Sequence, residues 1–289
     1  MEWLTDLLTE HKIPLGRWVE GLVNWITDNF DWFFDALSDG LGFLIEALVD
    51  LLAVTPPIVL ILLLCAFGYW LHRSWRLVAL IAAGLLLILN LGFWEEMTET
   101  LALVLFATLI CIALGIPLGI YAARRPWFYA GLRPVLDMMQ TIPTFVYLIP
   151  TLILFGLGMV PGLISTVIFA LPAPIRLTYL GISGVPKPLV EAGESFGATR
   201  WQLLWKVELP HAMPTIMAGV TQCIMLSLSM VVIAALVGAD GLGKPVVRAL
   251  NSVNIAQGFE AGLAIVIVAI ILDRVLKQVE PTGNATKKR

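Results

Sequence analysis

Two short stretches of this chain carry residue types at spacings that chemistry uses. Gly193-Glu-Ser195-Phe-Gly197 has the Gly-x-Ser-x-Gly form of a hydrolase nucleophile elbow, with Glu208 and His211 downstream in an order that would complete a triad. An elbow presents its serine on a sharp turn between a strand and a helix, above a sheet. No strand-like run flanks Ser195, so it reads as a polar side chain on a helix surface and no catalytic residue is assigned. Gly238-Ala-Asp-Gly-Leu-Gly243-Lys244-Pro245 nearly matches a phosphate-binding loop. Pro245, however, stands where a serine or threonine hydroxyl must hold magnesium, so the stretch reads as a flexible outer loop. Any ATP hydrolysis must then come from another polypeptide. Cys65, Cys111 and Cys223 lie singly in apolar runs, without disulfide or metal spacing, and read as small core hydrophobes.

The elements around these stretches are apolar. Of 289 residues, 59% are hydrophobic and 13% charged, and the mean hydropathy is +0.89. That composition excludes an ordinary soluble domain and points to an all-α integral membrane protein, with the lipid bilayer as solvent and no nucleic-acid partner. A span needs about 20 apolar residues. Seven segments qualify: 56–71, which is short, then 75–94, 97–122, 135–158, 161–182, 213–237 and 258–275. No basic stretch precedes an apolar run at the N-terminus, so no cleaved signal peptide is expected.

Charge sets the expected orientation. Arg73, Arg76, Arg124, Arg125, Arg133, Lys187, Arg200, Lys206, Arg274, Lys277, Lys287, Lys288 and Arg289 all fall on one side of this arrangement. By the positive-inside rule that side is cytoplasmic. The other side holds Glu95, Glu96, Glu99, Asp240 and Glu260, with Lys12, Arg17, Lys244 and Arg248 as its basic residues. Seven spans reconcile an outside N-terminus with a cytoplasmic C-terminus. Residues 1–55 form an acidic, Trp-rich, extracytoplasmic region. Trp18, Leu22, Trp25 and Trp32 recur on one face and Glu20, Asp28, Asp31 and Asp35 on the other, which predicts an interfacial helix, followed by a second over 41–54. Two accessory spans occupy 56–96, the core is 97–276, and a cytoplasmic tail covers 277–289.

The one long polar interruption in the second half is 183–210. Within it, residues 186–210 read as two short helices around a glycine. Pro188 suits a first turn, Gly197 can take the left-handed conformation that stops a helix, and Thr199 with Gln202 forms a capping box that starts the next. Upstream, Pro134, Pro143, Pro150, Pro161, Pro172 and Pro174 crowd two spans. Broken backbone at membrane depth is tolerated inside protein or beside a water-filled cavity. Kinking for packing explains the prolines as readily as a pathway does, but Gln140, Thr141, Pro143, Phe145 and Tyr147 put polar and aromatic groups at one break. That favours a translocation path there.

At residues 191–210 the chain resembles the permease subunits of ATP-binding-cassette (ABC) importers of type I. Their cytoplasmic loop has the form Glu-Ala-Ala, three residues, Gly, nine residues, Ile-x-Leu-Pro. Here it reads Glu191-Ala192-Gly193, Gly197 and Val207-Glu208-Leu209-Pro210, with Gly193 and Val207 as departures. The runs 139–150, 168–178 and 212–220 narrow the resemblance to glycine betaine/proline and choline-type importers. The resemblance implies a coupling helix with Glu191, Ala192, Gly193, Ser195, Phe196, Gly197, Ala198 and Thr199 at the contact. It also implies two separate ATPase subunits, which bind ATP and Mg, an external substrate-binding protein and a second permease copy. Quaternary-amine or betaine uptake follows, for which Phe145, Tyr147, Phe155 and Phe169 are candidate weak contacts for a cationic head, although packing is the commoner role of aromatic rings in spans. The chain itself would carry no cofactor and no metal, and would sit in the inner membrane of a bacterium. An ion-coupled secondary transporter is the rival. Such carriers place ionisable groups at mid-membrane, whereas the core spans here carry chiefly Asp137, Arg176 and Asp273, near their ends.

Overall fold

A computed structural model describes residues 14–276. The basic tail residues Lys277, Lys287, Lys288 and Arg289, and Lys12 near the start, lie outside the described residues. Every regular element among the described residues is helical.

Residues 15–54, expected as two interfacial helices, form one helix, α1 (Leu15–Val54), with a single non-helical residue at Phe30 (φ −125°, ψ 16°). In the first half Trp18, Trp25 and Trp32 are all exposed. The second half differs. Ile45 is 1% exposed and sits in a cluster with Ala107, Cys111, Leu163 and Val167, flanked by Leu41 and Val49 at four-residue spacing. Packing of that stripe, rather than propensity, carries the helix through Gly40 and Gly42 and places 41–49 against the spans.

The chain then bends by 103° into α2 (Pro57–His72), which packs on α3 (Trp75–Asn90). Next come α4 (Trp94–Arg124), α5 (Pro126–Thr141), α6 (Thr144–Phe155), α7 (Met159–Ala170) and α8 (Pro172–Ser183). The polar segment gives α9 (Lys187–Ser195) and α10 (Arg200–Leu203). A π turn over Leu204–Glu208 leads into α11 (Leu209–Ala234), and α12 (Gly243–Asn251) and α13 (Ile255–Leu276) complete the order.

Among the described residues, four stretches are long and apolar enough to cross a membrane: Trp94–Arg124, Met159–Ser183, Arg200–Val237 and Ile255–Leu276. Two bent helix pairs raise that to as many as six, and α3 is a shorter apolar helix. Each of the seven segments expected from sequence therefore has a helical counterpart. The segment 135–158 differs in form: it is broken between α5 and α6, which are bent by 97°. Pro143 has no N–H to give the carbonyl of Met139, so the helix cannot continue. The Tyr147 hydroxyl donates to that carbonyl instead, at 2.5 Å.

At the centre, α4, α8 and α11 cross closely. A Cβ on Gly119 would lie 2.6 Å from Thr178 Cβ and 2.7 Å from the carbonyl of Ile175, so only glycine lets α4 and α8 approach this far. A Thr151–Ser165 hydroxyl contact of 2.8 Å joins α6 to α7, and His72 Nε2 lies 2.7 Å from the Val275 carbonyl, joining α2 to α13.

The stretch 238–245 corrects an expectation, since it is packed rather than loose. Ala239 and Leu242 are 1% and 0% exposed, and the Leu242 amide donates to the buried Thr100 hydroxyl at 2.8 Å. Lys244 pairs with Asp240, and Gly243 already opens α12.

Candidate functional site

The helix–Gly–helix form expected of 186–210 is present. Pro188 lies in the first turn of α9, and its last turn closes with the Gly197 amide donating to the Glu194 carbonyl at 2.8 Å and Ala198 to Gly193 at 3.1 Å. Gly197 has φ +73°, the left-handed region that costs any other residue about 1–2 kcal/mol. Thr199 then caps α10. Its hydroxyl accepts from the Gln202 amide at 3.3 Å, and its own amide donates to Gln202 Oε1 at 2.8 Å.

The two short helices press together. A Cβ on Gly193 would lie 2.5 Å from Leu203 Cδ2, so the departure from the second alanine of the family pattern is where α9 meets α10 most tightly. Leu204 and Leu209 are buried with Ile182, Ala212 and Ile216, against Ile116, Ile120 and Ala123 of α4. That cluster roots the segment in the spans.

One contact was invisible in the linear sequence. Arg124, at the last turn of α4, donates to Glu208 Oε2 at 3.0 Å and to the Arg200 carbonyl at 3.1 Å. The two side chains remain 33% and 16% exposed, so the pair contributes at most about 1 kcal/mol to stability, and its effect is positional. Arg124 counted in the sequence only as one of several cytoplasmic cations, and no local spacing relates it to Glu208. Beside the clamp a cleft of ≈ 520 Å³ lies between Arg124, Arg125, Val190, Glu194 and Leu203.

The sequence-derived contact residues mostly face outward. Glu191, Ala192, Ser195, Phe196, Gly197 and Thr199 are exposed, while Gly193 and Ala198 are half-buried. Ser195 donates to the Glu191 carbonyl at 2.8 Å, a helix-surface bond with no base beside it, which disposes of the elbow. Phe196 is 92% exposed. An aromatic ring held out at the tip of a rigid turn contributes nothing to the core of this chain and is free to meet a partner. Trp201 and Trp205 add two exposed indoles, with ring centroids 5.7 Å apart.

Of the residues expected along a path, Gln140, Thr141, Pro143, Phe145 and Tyr147 lie at the α5–α6 break. Thr141, Pro143 and Phe145 are exposed and Gln140 is half-buried. Tyr147 is buried, and its hydroxyl serves the orphaned Met139 carbonyl. Phe169 lies half-buried on α7, and Phe155 meets Phe34 of α1 edge-on at 5.4 Å.

A helical membrane domain that holds out a clamped, apolar-tipped pair of short helices has the form of a transport permease driven by a docked partner. The chain belongs to the family described as the inner membrane component of binding-protein-dependent transport systems, whose model matches residues 115–282. It is 49% identical over 265 residues to the "Glycine betaine/carnitine transport permease protein GbuB" of Listeria monocytogenes, covering 91% of this chain and 94% of that protein. It is 47% identical over 279 residues to the "Glycine betaine transport system permease protein OpuAB" of Bacillus subtilis, covering 95% and 98%. Against the "Glycine betaine/proline betaine transport system permease protein ProW" of Escherichia coli it is 45% identical over 275 residues, covering 93% and 76%. The fold is also that of the MetNI methionine ABC transporter solved in inward-facing conformations, with a TM-score of 0.55 at 23% identity, over 61% of this chain and 91% of that one. This protein is thus a multi-pass inner-membrane permease subunit of an ABC importer. It is not an enzyme, and it works with a separate ATPase subunit and a substrate-binding protein.

Proposed function

We propose that the chain imports a quaternary-ammonium or betaine-type osmolyte, such as glycine betaine, delivered from outside by the binding protein. Two copies of the permease pair in the membrane, each engaged by one of two ATPase subunits that carry ATP and Mg. The N-terminus lies outside and the C-terminus in the cytoplasm, a reading that the distribution of basic residues supports. The names of the similar permeases support the substrate class.

The observation that carries the coupling role is the exposed Phe196 on a turn fixed by Gly197, with Arg124 clamping the same segment to a span. Glu191, Ala192, Gly193, Ser195, Phe196, Gly197, Ala198 and Thr199 form the docking ridge. ATP binding can shift the permease only through different affinity for its two states, so a rigid lever is required between the ATPase and the spans. The lever runs from Phe196 through the capped α10 and the Arg124 clamp to α4 and α11. Substrate passes at the α5–α6 break, with Gln140, Thr141, Pro143 and Phe145 along the path, Tyr147 holding the break in shape and Phe169 behind it.

The test is uptake of labelled glycine betaine by the reconstituted complex, together with co-purification of the ATPase. Glu191→Arg and Gly197→Pro leave the permease folded and lose both ATPase binding and uptake. Proline would force φ near −65° where +73° is needed, and would remove the bond to Glu194. Wild-type uptake and co-purification in both variants would sink this reading, as would uptake that survives ATP depletion and fails with an uncoupler.

A further inference from the structure

The face of α5 that meets α8 carries Tyr129, Arg133 and Asp137 at four-residue spacing, and α8 answers with Arg176 and Tyr179. Arg176 Nη2 donates to Asp137 Oδ1 at 2.6 Å, and Arg133 Nε stands 4.0 Å from Asp137 Oδ2. The rings of Tyr129 and Tyr179 stack with centroids 3.5 Å apart and planes within 7°. The single buried residue of α5 is Leu136, and Phe128 also meets Tyr121 of α4 edge-on at 4.8 Å.

The location makes this pair unusual. Arg176 belongs to the span Met159–Ser183 and lies about 10 Å along the axis from its Ser183 end. The side chains of Arg176 and Asp137 are 32% and 54% exposed. Charges so open, on a spanning element, do not face acyl chains; they face a water-filled space or another protein surface. The seam also leads directly to Gln140 and Thr141 at the α5–α6 break, where the path is placed.

The local charge is lopsided, since two guanidinium groups face one carboxylate. A purely cationic amine entering here would meet a net positive site. A zwitterion has no net charge to be repelled there: its carboxylate can take both arms of Arg176, while its cationic head is left to Asp137. A trimethylammonium group has no N–H, so its attraction to Asp137 is Coulombic. One ion pair becomes two, and Arg133 remains the one excess positive charge, as it was before the substrate entered.

We propose that Arg176 and Asp137 form a substrate station on the translocation path, closed on itself when empty and opened by a carboxylate-bearing betaine in preference to a choline-like cation. The proposal rests on the importer reading above and specifies its substrate class. The pair is a specificity determinant acting after release from the binding protein.

The experiment uses the full complex in proteoliposomes, with ATP on the ATPase side, and reads labelled glycine betaine imported per ATP hydrolysed. Arg176→Gln lowers that ratio by roughly tenfold or more, the loss of a charge-assisted hydrogen bond. Arg176→Lys keeps the charge but not the two-armed fork, and falls between Arg176→Gln and wild type. A pair that merely ties α5 to α8 would lower complex yield, ATP hydrolysis and uptake together and leave the ratio unchanged. An unchanged ratio in both Arg176→Gln and Asp137→Asn, at full or reduced yield, overturns the station while leaving the importer reading intact. A wild-type complex that imports choline and not glycine betaine also overturns the station and leaves the importer reading intact, whereas one that imports no quaternary amine or betaine overturns that reading.

Discussion

Arg124 and Glu208, 84 positions apart in the chain, meet at 3.0 Å, and the same guanidinium reaches the Arg200 carbonyl at 3.1 Å. One side chain at the end of α4 therefore holds both ends of the 200–208 turn. If the proposed coupling role holds, a movement imposed on residues 186–210 would reach α4 through this contact and α11 through the continuous backbone.

Breaking the clamp should uncouple without unfolding. Arg124→Gln is expected to shift the thermal midpoint by no more than about 3 °C. Glycine betaine uptake by the reconstituted complex should fall by about fivefold or more, the scale of a coupling energy between sites. The double exchange Arg124→Glu with Glu208→Arg should recover part of it. Wild-type uptake in Arg124→Gln would show that the clamp transmits nothing.

Position 193 separates two opposing effects. Alanine in place of Gly193 gains about 1 kcal/mol of helix propensity but puts a methyl 2.5 Å from Leu203 Cδ2. The obstacle is the end of a flexible side chain, so Gly193→Ala should bind the ATPase within about threefold of wild type, a difference well under 1 kcal/mol. Gly193→Val adds branches that Leu203 cannot clear, and ATPase co-purification should be lost. Equal co-purification by both variants would refute the close-contact account.

The Thr199 cap can be removed by a near-isosteric change. Thr199→Val should destabilise α10 by about 1 kcal/mol, while Thr199→Ser keeps the cap. Hydrogen–deuterium exchange at the Gln202 amide, which donates to the Thr199 hydroxyl, is the direct readout. It should quicken in the valine variant alone.

Tyr147→Phe deletes one oxygen and leaves the Met139 carbonyl without its donor. Met139 is half-buried, so the loss lies at the low end of the roughly 1–3 kcal/mol that a fully buried unpaired carbonyl costs. The variant should melt earlier in detergent and still bind the ATPase normally, because the change lies at the α5–α6 break, outside the docking segment. An unchanged melting temperature would mean that the break is held by other contacts.

Much of the coupling segment was legible because its signals are local. Thr199 and Gln202 are three apart, Gly197 closes a helix within its own turn, and apolar run lengths locate the spans. The Trp-rich face of 15–40 was legible for the same reason. The second half of α1 was not: Gly40 and Gly42, with Glu46 and Asp50, look like an interruption until Ile45 is seen buried against α4 and α7. The 238–245 stretch misled in the same way, since its glycines look loose while Leu242 is anchored on Thr100, 142 positions earlier.

By itself the sequence determined that this is a helical membrane protein with one helix–Gly–helix segment made to be gripped, because hydropathy, turn chemistry and caps act over a few residues. Tertiary structure alone decided which distant groups meet: Arg124 with Glu208, Asp137 with Arg176, Tyr147 with the carbonyl that Pro143 leaves unpaired. The physical reason is that a side-chain ion pair or a borrowed hydrogen bond depends on how helices cross, and crossing depends on packing such as that of Gly119 against Thr178, which no local pattern encodes.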